Sequence, residues 1–372
     1  MDYSELKKQM SEQKVEMTAK ERLEAYNRGE EVDFIPYDLQ SPDPALAEIF
    51  GYTTSQFGKD IDAKIGVIKR RQEEFGIDNF NVSLGLKRIG HSLGSVVLAP
   101  EHGIDYVEEH LLADSYDGID ALEPVDPYKN DVLLPILEST KRLKDKFPDL
   151  TLSTSVAGPI TTAISVRPVE KALRDTRKDP DNLKKLLDIC VESSLNWFRA
   201  FEKEFGKTNT GFSDPVTCQD ILSRKQFEEF SLPYLQKLID GTVDIMGMPP
   251  GAHICGKSNG IWEDLADAGL FFVSIDNCED LAHAKELVGD RMRIAGNVPP
   301  VNVMKLGTID DVIASVKDCL QRGADSPKGY ILNTGCQVPL GTPKQNVEAF
   351  IYAARKYGRG ARMGELPKGL SD

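Results

Sequence analysis

The sequence has no apolar run long enough to cross a bilayer, and its first residues, MDYSELKKQM, are polar and helix-forming rather than an apolar leader. A cytoplasmic protein without a membrane segment is expected. A basic run is missing too. Lys and Arg are dispersed, and the net charge is -14 with a pI near 5.0, so no nucleic-acid surface is expected. An acidic surface serves solubility and can steer a basic protein partner. Cysteine is scarce, six in 372 residues, at positions 190, 218, 255, 278, 319 and 336. That is no disulfide framework. In a reducing compartment such residues are core thiols, metal ligands or reactive groups. Four of the five histidines, His91, His102, His110 and His283, have no partner at ligand spacing. Low-complexity tracts, long linkers and fixed-period repeats are absent.

What is present is an ordinary globular composition, 40% hydrophobic and 28% charged, sufficient for a large core. Short apolar runs alternate with amphipathic stretches, the pattern of βα units around a parallel sheet. Eight strand candidates stand out: Ile35–Gln40, Asn79–Leu84, Leu150–Val156, Thr210–Asp214, Ala252–Cys255, Phe271–Asp276, Met292–Asn297 and Tyr330–Thr334. Eight is the number a (β/α)8 TIM barrel requires, so an α/β fold of that class is expected. The expectation is a single domain over residues 1–372, with a helical N-terminal extension at 1–30 and a hairpin insertion at 85–100. Asp179-Pro180 starts a helix whose Leu183, Leu186, Leu187, Cys190, Leu195, Phe198 and Phe201 form one apolar stripe. Ser223 with Gln226, and Thr342 with Gln345, read as capping boxes, and Pro343 as a first helical residue.

The chemistry concentrates in Ala252-His253-Ile254-Cys255-Gly256. Side chains alternate along a strand, so His253 and Cys255 share one side while Ile254 faces the other. In a barrel this puts both at the C-terminal end of a strand, where such folds keep their active sites. Imidazole with thiolate suits Zn2+, which needs a third ligand from elsewhere. Cys336 is the best candidate, since it follows Tyr330–Thr334 and Gly335, where the last strand opens into a loop. Gly335 allows an unusual backbone angle there. A His-Cys-Cys set with an open fourth position is a catalytic arrangement. Asp214 and Asp276, at two further strand ends, are the candidate catalytic carboxylates. Each is a fourth ligand or a hydrogen-bond partner of His253, against the plain reading of a turn cap. Glu263 reads as a solvated helix residue, and Asn297 as a polar lining or loop residue.

The stretches HICGKSNGIWEDLADAGLFFVSID (His253–Asp276), IAGNVPP (Ile294–Pro300) and LNTGCQVPLGTPKQNV (Leu332–Val347) resemble the C-terminal half of the uroporphyrinogen decarboxylase superfamily. They are most similar to its branch of zinc enzymes that act on methylated corrinoid proteins, the methylcobamide:coenzyme M methyltransferase type. The N-terminal half resembles the superfamily only loosely. The branch's metal motif, His-x-Cys with a distant Cys, maps onto His253, Cys255 and Cys336. The resemblance implies a zinc-dependent methyltransferase working between methylcobalamin or another corrinoid, carried by a partner protein, and a small thiol or methylated substrate. Zinc would hold the substrate sulfur as a nucleophilic thiolate. Direction of transfer stays open. A sulfonate thiol would need a cation, for which Lys257 and Arg167 are the candidates.

Two departures bear on the rivals. A porphyrinogen decarboxylase of this superfamily carries an arginine-rich motif near its start, where this chain reads FIPYDLQSPDPALAEIFGYT. It also carries a Gly-His-Gly-type segment where this chain has Gly335-Cys336-Gln337. Both argue against a metal-free decarboxylase. The other alternative is a non-catalytic module that binds a corrinoid protein.

Overall fold

A computed structural model describes residues 1–371. The chain divides into two compact parts, Asn79–Phe271 and a part made of Met1–Asp78 with the chain from Phe272 onward.

In the first part four parallel strands follow one another in chain order: β1 (Asn79–Ser83), β2 (Thr151–Ala157), β3 (Thr210–Ser213) and β4 (Gly251–Ile254). Register pairs Asn79 with Thr151, Thr154 with Thr210 and Gly211 with Gly251. The helix Pro180–Phe205 covers this sheet. Proline at its first position costs no hydrogen bond, because that N–H has no intrahelical acceptor. Its stripe is buried as the periodicity requires, with Leu186, Leu187, Cys190, Trp197, Phe198 and Phe201 fully inaccessible. Trp197 Nε1 donates to Thr154 Oγ1 (2.8 Å), and that hydroxyl donates to the Val82 carbonyl (2.8 Å). One buried chain of hydrogen bonds thus ties helix, β2 and β1 together.

In the second part three parallel strands run in sequence: β5 (Phe272–Ile275), β6 (Arg293–Val298) and β7 (Tyr330–Thr334). Strands β6 and β7 are almost wholly buried, as expected where helices cover both faces of a parallel sheet. The helices Ile309–Gly323 and Lys344–Tyr357 pack against each other. The first residues form two helices, Tyr3–Glu12 and Ala19–Asn27. A capping box between Thr18 and Glu21 starts the second, and Tyr26 at its end accepts a hydrogen bond from the Tyr330 N–H of β7 (3.1 Å).

Seven of the eight expected parallel strands form. The candidate Ile35–Gln40 is the exception. It makes one parallel bridge, Tyr37 to Leu332, with Asp38 N donating to Leu332 O (2.9 Å) and Leu332 N donating to Pro36 O (3.1 Å). Proline at position 36 has no N–H to give a ladder, so the segment stays rudimentary. The neighbouring Val32–Phe34 pairs antiparallel with Arg359–Ala361 instead. Residues 85–100 also differ from expectation. They hold the short helix Arg88–Leu93 and one strand, Val96–Leu98, whose antiparallel partner is Tyr106–Glu109. The Ser223–Gln226 capping box is present, but the helix after Thr342 begins at Lys344 with Pro343 as its N-cap. Thr342 Oγ1 there donates to the Pro339 carbonyl rather than capping a helix. Among the described residues no helix is long and apolar enough to cross a membrane.

Candidate metal centre

His253 lies in β4, opposite Ser213 of β3, and its carbonyl accepts the Asp214 N–H (3.0 Å). The imidazole is buried, at 6% exposure. Ile254 points away into the core, fully inaccessible, so the alternation read from the sequence holds at this strand. Cys255 follows the last strand residue and is half-buried. Its Sγ lies 3.2 Å from His253 Nε2.

The loop after Cys255 is braced from the segment that follows β3. Asp220 Oδ2 accepts the Lys257 N–H (3.0 Å), and Gln219 N donates to the Lys257 carbonyl (2.8 Å). Gln219 Oε1 accepts the Gly260 N–H (3.0 Å). Gly256 has φ +72°, and a Cβ there would come within 2.9 Å of Asp220 Oδ2 and 3.3 Å of Cys218 Sγ. Glycine is therefore required both by the turn and by the close neighbour.

Cys336 follows β7. Gly335 N donates to the Val298 carbonyl (2.9 Å), and Thr334 Oγ1 donates to the Cys336 carbonyl (2.8 Å) while accepting the Gln40 N–H (3.1 Å). These bonds fix the main chain on either side of the thiol. Gly335 is not among the residues with positive φ, so the freedom that glycine allows is not used there. What demands glycine is space, since a Cβ there would sit 2.5 Å from the Asn277 nitrogen.

His253 and Cys255 thus face each other within the part Asn79–Phe271, while Cys336 is carried by the part that resumes at Phe272. A tetrahedral zinc with Zn–N near 2.0 Å and Zn–S near 2.3 Å sets its ligand atoms about 3.5–3.8 Å apart. The 3.2 Å between His253 Nε2 and Cys255 Sγ is a little under that spacing, and nitrogen–sulfur chemistry suits zinc better than magnesium or calcium, which take oxygen.

Each candidate carboxylate makes a local hydrogen bond. Asp214 is wholly buried. Its Oδ1 accepts from the main-chain N–H of Thr161 (3.1 Å) and from the Thr161 hydroxyl, and its buried Oδ2 has no hydrogen-bond partner. Burial pushes its carboxyl up to about 7, against the opposing effect of the Thr161 bonds. Asp276 Oδ1 accepts the Cys278 N–H (3.0 Å), the geometry of a turn cap. Asn297, buried, donates to the Asp276 and Glu279 carbonyls (3.1 and 2.8 Å) and holds that same turn. Glu263 is exposed in the first turn of the helix Trp262–Asp267.

Of the two candidate cations, Arg167 is buried in an ion pair with Asp175, donates to the Leu112 carbonyl (2.8 Å) and stacks on Tyr116 at 4.2 Å. Its charge is engaged locally. Lys257 is exposed. The Thr161–Asp214 hydrogen bonds and the Asp220 brace had no sequence signal, because neither joins residues at a recognisable motif spacing.

The uroporphyrinogen decarboxylase (URO-D) family model matches residues 18–357. The chain belongs to that family. Among its relatives, methylcobamide:CoM methyltransferase MtaA of Methanosarcina barkeri (strain Fusaro) is 27% identical over 353 residues, covering 92% of this chain and 99% of the relative. A methylated-thiol–coenzyme M methyltransferase of Methanosarcina mazei is 26% identical over 60% of this chain and 58% of its own length. A uroporphyrinogen decarboxylase of Synechococcus is 30% identical but over 48% of this chain and 49% of its own. Among solved structures, a methyltransferase from Methanosarcina mazei superposes with a TM-score of 0.78 at 25% identity, covering 92% of this chain and 99% of that one. The fold of this URO-D family member is thus α/β and TIM-barrel-like, as the strand count anticipated.

Proposed function

We propose that this protein is a zinc-dependent methyltransferase that moves a methyl group between a corrinoid carried by a partner protein and a small thiol or other methylated substrate. The observation that carries the reading is the approach of the His253 imidazole to the Cys255 sulfur, 3.2 Å apart at the end of β4, with Cys336 proposed as the third ligand. The methyltransferase names of relatives matched over almost their whole length support it. The decarboxylase relatives are matched over about half of theirs.

His253, Cys255 and Cys336 would hold the metal. When bound, zinc supplies a Lewis-acid position at which a substrate thiol is held as a thiolate near neutral pH. Cys255 and Cys336, as thiolates, would offset the charge of the dication and so leave a held substrate sulfur electron-rich. His253 would hold the metal through a ring nitrogen, and its burial keeps water from that side chain. Asp214 is proposed as a positioning residue: its main-chain N–H holds the His253 carbonyl, and its carboxyl locks the turn at Thr161. Asp276 is proposed to fix the turn that follows β5. Cytoplasmic residence fits a site that depends on reduced cysteine.

The test is demethylation of methylcobalamin by zinc-loaded protein with a panel of thiols that includes coenzyme M, followed by cobalamin absorbance. Thiol-dependent demethylation that disappears in Cys336→Ser is the expected result. Turnover of uroporphyrinogen by metal-free protein would instead make it a decarboxylase. Binding of a corrinoid protein without any acceleration would make it a binding module.

A further inference from the structure

The hairpin Val96–Leu98/Tyr106–Glu109 turns apolar side chains to solvent. Leu98 lies opposite Tyr106, so both project from one face, together with Val96 two residues before. These side chains are 41%, 46% and 42% exposed. Val97 and Val107, paired on the opposite face, are half-buried. Ile104, in the connecting turn, is 63% exposed. A hairpin with one solvated face normally keeps that face polar. An exposed apolar patch rimmed by charge marks a surface that another molecule covers.

The patch is held firmly rather than hung on a loose loop. Ser95 is buried and its hydroxyl accepts the Leu111 N–H (3.1 Å). Leu112 N donates to the Val166 carbonyl (2.9 Å), and Arg88 pairs with Asp105 (3.5 Å). The position is also informative. The hairpin belongs to the connection that leaves the C-terminal end of β1, and β1 to β4 are parallel. It therefore springs from the same end of the strands as His253 and Cys255.

We infer that this hairpin face is the docking surface for the protein that carries the corrinoid, an inference that rests on the methyl-transfer reading above. A methyl group bound to a protein-borne corrinoid can reach a metal at the strand ends only if the carrier settles on that end. The charge at the patch selects the occupant. Glu109 lies opposite Val96 on the apolar face itself, and exposed Glu108 bulges beside it. A second copy of this chain docking through the same patch would set these carboxylates against themselves, since a twofold contact repeats each surface. A carrier with an apolar centre and a basic rim meets both features.

The test compares wild type with the double variant Leu98→Lys/Tyr106→Lys on two methyl donors, free methylcobalamin and a purified corrinoid-binding protein loaded with methylcobalamin. Both side chains are exposed, so the fold should survive, and circular dichroism checks it. The expected result is a rate with free methylcobalamin within about twofold of wild type and a KM for the loaded protein raised at least about tenfold. An unchanged KM overturns the inference. Equal losses on both donors overturn it as well, by showing that the hairpin shapes the site itself. A wild-type dimer that dissociates in the variant would assign the face to a second copy. A wild type inactive on free methylcobalamin with zinc and thiol would sink the methyl-transfer reading and the docking surface with it, whereas an unchanged KM removes the docking surface alone.

Discussion

Replacing Gly335 with alanine tests how the third thiol is positioned. The added Cβ would lie 2.5 Å from the Asn277 nitrogen, 2.8 Å from its Cβ and 2.9 Å from its Cα. Ordinary carbon contacts are about 3.5–4.0 Å, so the two segments must separate by roughly 1 Å. The obstacle is main chain, which cannot swing aside as a flexible side chain can. Overpacking of this kind costs about 1–3 kcal/mol. The moving segment carries Cys336, and a zinc–sulfur bond tolerates only about 0.2 Å of misplacement. Zinc affinity should therefore fall about 10–100-fold, the range seen when a ligand loses its support. Urea unfolding of chelator-stripped protein measures the first quantity, and zinc competition against a chelator the second. Unchanged stability and affinity would refute the close-approach argument. Lost stability with full affinity would show that the contact packs the loops without placing the thiol.

Asp214→Asn should alter how stability depends on pH. Burial raises this carboxyl from 3.8 to about 7, so between those values the folded state holds a proton that the unfolded state releases. Stability from this group is present at low pH and is lost as pH rises through that window, at up to about 1.4 kcal/mol per unit. Metal-free Asp214→Asn should gain on metal-free wild type between about pH 4 and pH 8 in thermal melts, and parallel curves would contradict the assignment. Cys190→Ala should cost about 1–2 kcal/mol in urea unfolding and leave metal content unchanged, because the thiol is a core group. Trp197→Phe should cost about 1–3 kcal/mol through the lost bond to Thr154, with no effect on zinc binding.

The parallel strands were legible because each depends on local pattern. Tyr330–Thr334 is bounded as its apolar run suggests, and the other six strands shift by a residue or so at their ends. The alternation at His253, Ile254 and Cys255 predicts the burial of Ile254 and the pairing of His253 with Cys255. Ile35–Gln40 misled because apolar content outweighed the missing N–H of Pro36. The hairpin expected at 85–100 lies further along the chain, at Val96–Leu98 with Tyr106–Glu109. Gly90 instead sits inside a short helix, where a Cβ would meet Ser165 Oγ at 2.0 Å. Arg167 gave no sign of Asp175, eight residues away, because the pairing exists only once Leu112 and Tyr116 have enclosed it. Tertiary pairings of this kind leave no period in a sequence.

The central claim is that His253, Cys255 and Cys336 hold one metal ion, and elemental analysis of chelator-washed, zinc-reconstituted protein addresses it most directly. Wild type should retain about one zinc per chain, and Cys255→Ser and Cys336→Ser should each lose most of it while keeping the wild-type circular dichroism. Wild type that retains no zinc, or variants that retain all of it, would contradict the account.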